Sequence, residues 1–150
     1  MLGITTAIGA ADAALDQRLS DELDAVNAAA TPGVAPAEEL TVRLEDDGRM
    51  VAGLSGWTWG EGAGIGMVWV AEEHRATGLG SRLLEAFEQE ARRRGCIRAF
   101  VTSFTFQAPQ FYERHGYREI FRWDGVPAAG SDDVHLRKDL STSGSSRVLG

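Results

Sequence analysis

The sequence predicts an α/β domain built around a mixed β-sheet, and three observations lead to this fold class. The chain has 150 residues, of which 43% are apolar and 25% charged, as expected for one soluble globular domain. A strand–helix–strand pattern from Met67 to Ser103 is the unit that builds parallel strand pairs. Strand-like segments also lie before it, at 41–58, and after it, at 117–138. One sheet with parallel and antiparallel pairs is therefore expected.

The first thirty residues predict one strand and one helix. Ile4 to Ile8 is short and rich in Thr and Ile, which favours a first strand. Asp12 to Ala30 is amphipathic and stops before Pro32, which favours a helix. The apolar residues at helical spacing are Leu15, Leu19, Leu23 and Val26.

A hairpin and a short apolar strand follow. Thr41 to Glu45 and Met50 to Thr58 alternate as strands do, and Asp46 to Gly48 is a strong turn between them. Trp59 to Gly66 contains four glycines and is interpreted as a loop or a bulged strand entry. Met67 to Val70 is fully apolar and predicts the strand that begins the parallel unit.

The second helix has the clearest pattern in the chain. Its apolar residues fall on one face, and Gly95 ends it. Three arginines, Arg92 to Arg94, stand in its last turn, where cations offset the negative helix end. Ile97 to Ser103 is the next strand. The residues of the apolar face are Leu79, Leu83, Phe87 and Ala91.

The last elements are a short helix and two strands. Pro109 suits a first helical turn and Gly116 a helix end, so Ala108 to His115 is expected to be helical. Tyr117 to Trp123 and Val134 to Lys138 are the two strands. We expect a single domain over 1–140, followed by a polar tail at 141–150.

Composition and charge exclude several classes of function. The formal net charge of −7 argues against a nucleic-acid partner. Cys96 is the single cysteine, so no internal disulfide is expected, and no metal site emerges. No export signal and no run of ~18 apolar residues is found, so we expect a cytoplasmic protein without a membrane span.

The segment from Val70 to Ser81 carries the clearest chemical signal. Gly78 and Gly80 stand where a strand passes to a helix, and glycine lets backbone N–H groups approach a ligand closely. The first helical turn also has N–H groups without internal partners, so the turn is suited to a phosphate or diphosphate. The alternative is that the glycines only permit a tight connection. No Gly-Lys-Ser/Thr and no G-x-G-x-x-G pattern is present, which disfavours ATP and dinucleotide sites.

These residues also resemble a known family. Arg75-Ala-Thr-Gly-Leu-Gly80 matches the R/Q-x-x-G-x-G/A motif of GNAT acetyltransferases, whose amides hold the diphosphate of coenzyme A. Met67 to Val70 resembles the family's fourth strand and Ser81-Arg-Leu-Leu84 the opening of its third helix. Phe111 to Tyr117 resembles its F-Y-x-x-x-G-Y/F element. The resemblance covers roughly residues 40 to 140.

The resemblance implies a fold, an activity and an assembly. The fold is the GNAT (acyl-CoA N-acyltransferase) α/β fold, a mixed, strongly twisted sheet of six or seven strands flanked by about four helices. The sheet opens between its fourth and fifth strands to admit the coenzyme. The activity is transfer of the acetyl group of acetyl-CoA to a primary amine of a small molecule or protein in a ternary complex. The acidic balance favours a cationic acceptor, and relatives often form homodimers through their C-terminal strands.

The resemblance also assigns site residues. The N–H of Val70 faces the thioester oxygen, and the Tyr112 hydroxyl donates a hydrogen bond to the sulfur; on spacing alone, Tyr112 could equally pack in the core. The residues that the resemblance assigns to coenzyme binding are Val68, Trp69, Val70, Arg75, Ala76, Thr77, Gly78, Leu79, Gly80, Ser81, Thr105 and Tyr112.

Two positions depart from the family pattern. Ala76 replaces a common glycine and can serve equally unless a positive φ is required. Thr105 replaces a common Asn and has a shorter reach.

The general base stays open, because Ile65-Gly66-Met67 carries no carboxylate where many relatives have one. Its candidates are Glu61, Glu73, His74 and a water relay.

Other interpretations accompany the main one. A coenzyme-A-binding sensor without efficient turnover is the principal alternative, and a purely structural domain is a third class. His115 is interpreted as a helix-end residue and His135 as a surface residue. The tryptophans of the early strands are interpreted as core residues more readily than as a pocket lining. These are Trp57, Trp59 and Trp69.

Overall fold

The computed structural model describes residues 3–141. Contacts divide the chain after Val34 into two units, one holding the first helix and the other the sheet. The single-domain assignment over 1–140 stays a prediction, and the expected tail lies outside the described residues from 142 onward. None of the helices within residues 3–141 has the length and apolar composition needed to cross a bilayer.

The first unit contains helix α1, Ala13–Ala30. The side chain of Asp12 caps it by accepting from the N–H of Leu15 at 2.9 Å, and Thr31 ends it through a 2.9 Å bond to the Asn27 carbonyl. The predicted helix is confirmed. The predicted strand at Ile4 to Ile8 is wrong, because residues 3–9 form no regular structure and both isoleucines are almost fully exposed. With no strand beside it, so short a segment cannot satisfy its backbone groups as a sheet would.

Over residues 35–141, the second unit is a six-stranded mixed sheet with two α-helices. The strand order is β1-β2-β3-β4-β6-β5, and only the β3–β4 pair is parallel. The predicted α/β class with a mixed sheet is therefore confirmed. The elements are β1 Glu38–Asp46, β2 Arg49–Trp59, β3 Gly62–Val70, a 3₁₀ turn Glu72–His74, α2 Leu79–Arg93, β4 Arg98–Phe104, α3 Pro109–Arg114, β5 Arg118–Asp124 and β6 Asp132–Asp139.

The core lies between α2 and one face of the sheet. Leu83, Phe87 and Ala91 of α2 are buried against strands β1 to β3, as their helical spacing predicted. Leu84, which was not assigned to that face, is buried as well. Each of the leucine and phenylalanine side chains contributes about 1.5–3 kcal/mol by burial. Gly95, with φ of 96°, ends the helix at the predicted place. This packing fixes the start of α2 beside the end of β3.

Strands β3 and β4 separate halfway along their length. They pair from Gly62 with Arg98 to Ile65 with Val101 and no further. Gly66 is the extra residue of a bulge, because Ile65 lies opposite Gly56 of β2 while Met67 lies opposite Ser55. A bulge bends and twists its strand, so β3 leaves β4 immediately after Gly66. The opening was expected between the fourth and fifth strands. Because the predicted strand at Ile4 to Ile8 does not form, the third and fourth strands of the structure, β3 and β4, flank the opening. Beyond it, β3 pairs with β2 and β4 pairs with β6.

Candidate active site

A groove of about 910 Å³ occupies the opening between β3 and β4. Its walls come from the second half of β3, the turn before α2, the first turn of α2, the end of β4 and α3. The residues expected to hold the coenzyme that line it are Val68, Trp69, Val70, Arg75, Ala76, Gly78, Leu79, Gly80, Ser81 and Tyr112. The groove wall does not include Thr77 and Thr105.

The turn before α2 presents a row of free backbone donors. The N–H groups of residues 76–81 donate no hydrogen bond within the part of the chain that the structure describes. The Thr77 hydroxyl instead donates to the His74 carbonyl and closes the turn. Unpartnered amides at a helix N-terminus attract anions, since the helix dipole adds partial positive charge. The turn can therefore bind a phosphate group.

Two residues of this turn have a left-handed backbone. Gly78 has φ of 88° and Ala76 has φ of 63°. Glycine tolerates this conformation, whereas alanine loses about 1–2 kcal/mol there. Alanine was expected to serve as well as glycine unless a positive φ is required at residue 76. The structure has a positive φ there, so the turn carries backbone strain at Ala76.

Gly80 allows α3 to approach the first turn of α2 closely. A Cβ added at Gly80 would lie 3.2 Å from two ring carbons of Phe111, tighter than ordinary contact. Phe111 in turn contacts the Tyr112 ring edge-on, with centroids 5.2 Å apart. The second glycine of the turn thus sets how near the aromatic residues of α3 come to the groove.

The backbone of β3 aims two N–H groups into the opening. The N–H of Ala71 donates to the Val51 carbonyl of β2 at 2.8 Å. Because amides alternate along a strand, the N–H groups of Val70 and Val68 point away from β2 and toward the gap. The Nε of Arg75 donates to the Val70 carbonyl at 3.1 Å, so this carbonyl is engaged while the Val70 N–H stays free in the gap.

Tyr112 is a buried phenol with a free hydroxyl. It is 7% exposed and lines the groove, and its hydroxyl makes no hydrogen bond to the described residues. Burial raises the pKa of Tyr112 to about 12. The side chain is therefore protonated at neutral pH and can act as a hydrogen-bond donor to a ligand in the groove.

A buried ionic cluster lies behind Tyr112. The Tyr117 ring contacts Tyr112 edge-on at 5.8 Å, and its hydroxyl donates to Glu88 at 2.9 Å. Lys138, the single lysine of the chain, donates to the other Glu88 oxygen at 2.9 Å. Burial, followed by the negative charge of Glu88, raises the pKa of Tyr117 well above its usual value. This hydroxyl is already committed to the fold, unlike that of Tyr112.

His115 is a groove residue that the sequence interpretation did not assign to the site. Its Nε2 lies 2.8 Å from the Ser81 hydroxyl, and its Nδ1 lies 2.8 Å from the Phe111 carbonyl. Both His115 and Ser81 line the groove. The sequence contained one indication of this place: His115 follows Phe111 by one helical turn, so the two side chains lie on the same face of the helix.

Thr105 lies outside the groove because its polar groups are used elsewhere. Its N–H donates to the Asp132 carbonyl at 2.9 Å, and its hydroxyl accepts from the Asp132 N–H at 3.0 Å. Gln107, which was not predicted, lines the groove instead, and its side-chain oxygen accepts from the Phe104 N–H at 2.8 Å. A coenzyme role for Thr105 stays a prediction.

The candidates for the general base are separated by the structure. His74 lines the groove, whereas Glu61 and Glu73 do not. Glu61 directly precedes β3 and Val70 ends it, so the length of the strand, over about 20 Å, separates the two residues.

The three early tryptophans are 38–48% exposed, so their interpretation as core residues is wrong. Only Trp69 reaches the groove wall, and the Trp57 ring lies over Gly64, where a Cβ would meet it at 2.3 Å.

A splayed mixed sheet with an anion-binding turn at the end of the splayed strand defines a class of α/β proteins suited to long, phosphorylated ligands. The chain belongs to the acetyltransferase (GNAT) family, whose model matches residues 11–117. The resemblance inferred from the motifs is thereby confirmed, and the protein is an acyl-transferring enzyme by family.

Individual relatives agree with this assignment. An acetyltransferase from Agrobacterium fabrum is 32% identical over 111 residues, covering 73% of this chain and 80% of its own length. A blasticidin-S acetyltransferase from Streptomyces morookaense is 42% identical over 82 residues, which cover 52% of this chain and 58% of the relative's length. The crystal structure of an acetyltransferase from Bacillus cereus superposes with a TM-score of 0.75 at 28% identity, and the match covers 89% of this chain and 97% of that one.

Proposed function

We propose that the protein transfers the acetyl group of acetyl-CoA to a primary amine by direct attack within a ternary complex. The observation that carries this proposal is the groove, which joins the free amides of the turn at residues 76–81, all but Thr77 lining it, to the free N–H of Val70 and the Tyr112 hydroxyl. Diphosphate and thioester lie at opposite ends of acetyl-CoA. A site for it therefore needs an anion cradle at one end and polarising donors at the other.

The residues of the chain fit three steps of the chemistry. Acetyl-CoA supplies the acyl group as an activated thioester. The amides of residues 76–81 bind and orient the diphosphate, and the Val70 N–H donates to the carbonyl oxygen as it gains negative charge. The amine attacks the thioester carbon in its unprotonated form, the C–N bond forms as the C–S bond breaks, and the proton of the attacking nitrogen leaves to solvent through water. The Tyr112 hydroxyl donates a hydrogen bond to the departing thiolate. The pKa of Tyr112 of about 12 favours a hydrogen bond over full proton transfer.

The acceptor is proposed to be a cationic amine. The formal net charge of −7 attracts cations before they bind. Blasticidin S is the first compound to test, since the relative that carries its name is 42% identical over 82 residues. An aminoglycoside, a polyamine and a peptide with a free N-terminus complete a panel that separates small-molecule from protein acceptors.

The test measures thiol release from acetyl-CoA with each acceptor, using the wild-type protein. The expected result is acceptor-dependent release that follows saturation in both substrates. Binding of coenzyme A, seen as a higher melting temperature, without turnover on any acceptor would favour the coenzyme-binding sensor. The lack of a carboxylate at residues 65–67 of β3 supports that second candidate. Absence of coenzyme binding at millimolar concentration would contradict both.

A further inference from the structure

The Ser81–His115 pair has a defined pattern of hydrogens. A carbonyl only accepts hydrogen bonds, so the contact of 2.8 Å between Nδ1 of His115 and the Phe111 carbonyl places a hydrogen on Nδ1. In a neutral imidazole Nε2 is then an acceptor, and the Ser81 hydroxyl donates to it across 2.8 Å. The neutral pair therefore directs the Ser81 hydrogen into the protein and away from the groove.

This arrangement does not suit the anion that the turn is built to bind. Ser81 stands in the first turn of α2, next to the free amides of residues 76–81. A phosphate oxygen only accepts hydrogen bonds. In the neutral pair the hydroxyl hydrogen of Ser81 points at His115, so the Ser81 oxygen presents only lone pairs to the phosphate. If Nε2 gains a proton, it donates to the Ser81 oxygen, and the hydroxyl hydrogen becomes free to donate to the phosphate.

We propose that His115 is a further coenzyme-binding residue, which takes up one proton from solvent as the diphosphate binds and thereby turns the Ser81 hydroxyl toward the phosphate. The proposal rests on the proposed function, because it requires coenzyme A in the groove. The imidazolium also brings a positive charge beside the diphosphate, where it acts together with the helix dipole of α2. Binding of the coenzyme is therefore coupled to the uptake of this proton.

The charged groups that the structure describes around His115 supply no counterion for an imidazolium. Glu113 and Arg114 precede it, and Arg82 and Glu85 follow Ser81 in the opening turns of α2. Beyond them, Arg75 and Arg114 line the same groove. On the β6 side, Lys138 packs against Gly116 and is bound to Glu88. Among residues 3–141 no carboxylate lies within 4.0 Å of the His115 ring, so the bound anion would be its counterion.

The test counts protons taken up on binding of coenzyme A. Calorimetric titrations between pH 6 and 8, in two buffers of different ionisation enthalpy, give the number for the wild type and for His115→Gln. The coenzyme's own phosphates contribute equally to both, so the difference isolates His115. We expect the wild type to take up as much as one proton more than His115→Gln. For each unit by which the pH rises, the affinity of the wild type for coenzyme A should fall by up to tenfold more than that of the variant.

Three further variants separate the proposed role from a structural one. His115→Asn keeps a donor for the Phe111 carbonyl, and Ser81→Ala keeps the ring; both are expected to lose the extra proton uptake while remaining folded. His135→Gln makes the same side-chain change on β6, outside the groove, where Nε2 of His135 pairs with Asp133 at 3.0 Å. This control is expected to keep the wild-type proton uptake.

The source of the anion is tested with dephospho-coenzyme A, which retains the diphosphate but lacks the terminal phosphate. The extra proton uptake is expected to persist with this ligand, and its loss would overturn the assignment to the diphosphate. Equal proton uptake in the wild type, His115→Asn and Ser81→Ala would overturn the role of His115 even though the coenzyme binds. No binding of coenzyme A to the wild type would overturn the proposed function as well.

Discussion

Replacing Tyr112 with Phe tests the proposed chemistry without disturbing the fold. The phenol ring is buried against Phe111 and Tyr117, while the hydroxyl has no partner among the described residues. Removing it therefore leaves no buried group unsatisfied, and we expect the free energy of unfolding to change by less than about 0.5 kcal/mol. Any loss of activity then belongs to the reaction rather than to stability.

The magnitude follows from the pKa of Tyr112. Full proton transfer from a phenol with a pKa of about 12 to a thiolate of pKa about 8.5 spans about 3.5 units, or about 5 kcal/mol uphill. Hydrogen bonding to the developing thiolate avoids this cost and contributes about 1.5–3 kcal/mol. We therefore expect kcat to fall about 10- to 150-fold in Tyr112→Phe, with the KM for acetyl-CoA nearly unchanged.

The assay is steady-state thiol release between pH 7 and pH 10, with Tyr117→Phe as the matched control. The same change at Tyr117 removes a buried hydrogen bond to Glu88, so it should lower the free energy of unfolding by about 2 kcal/mol and leave kcat nearly unchanged. A kcat for Tyr112→Phe within twofold of wild type would refute the hydrogen-bond role. A fall in wild-type kcat between pH 8 and 9 that disappears in Tyr112→Phe would refute the raised pKa.

Two stability predictions concern the strained turn and the buried charges. Ala76→Gly relieves a φ of 63°, so urea titration should show a free energy of unfolding higher by up to about 1 kcal/mol; a decrease would contradict the strain at this residue. Glu88→Gln leaves the partly buried Lys138 without its carboxylate and should lower the free energy of unfolding by about 3 kcal/mol. The control is Glu85→Gln, at an exposed site on the same helix, with an expected change below about 0.5 kcal/mol; equal effects of the two glutamine variants would contradict a structural role for Glu88.

Periodicity predicted the elements that bury one regular face, as α2 and β4 do. It also predicted α1 and β5, although neither element buries a residue in the structure. The end predicted for α2 is confirmed, because Gly95 stops the helix through its left-handed backbone. The segment Ile4 to Ile8 has strand-like residues but lacks a partner strand, and composition alone carries no information about pairing. The sequence predicted only residues 67–70 of β3 as a strand. The residues before them include the four glycines from residue 60 onward, and side chains this small show no alternation of apolar and polar positions.

The site was predictable where backbone conformation determines its function, and less so where side chains determine it. The turn at 75–80 follows from the positions of its glycines, and every residue of it except Thr77 lines the groove. Thr105 and His115 depend on tertiary packing that no local pattern reports: one is held by Asp132 of β6, and the other meets Ser81 from 34 residues away. The place of His115 is set by how α3 packs on α2.

The packing of α3 on α2 also explains why the anion cradle and Tyr112 occupy one groove. Gly80 lets the Phe111 ring come within contact of the first turn of α2, and the His115–Ser81 bond joins the same two helices at their ends. Tyr112 lies between these contacts and the Glu88 cluster, which holds Tyr117 behind it. A larger residue at Gly80 would push α3 outward and move the Tyr112 hydroxyl away from the β3 opening. Gly80, whose amide belongs to the anion-binding turn, therefore also sets the position of the hydroxyl proposed to act at the sulfur.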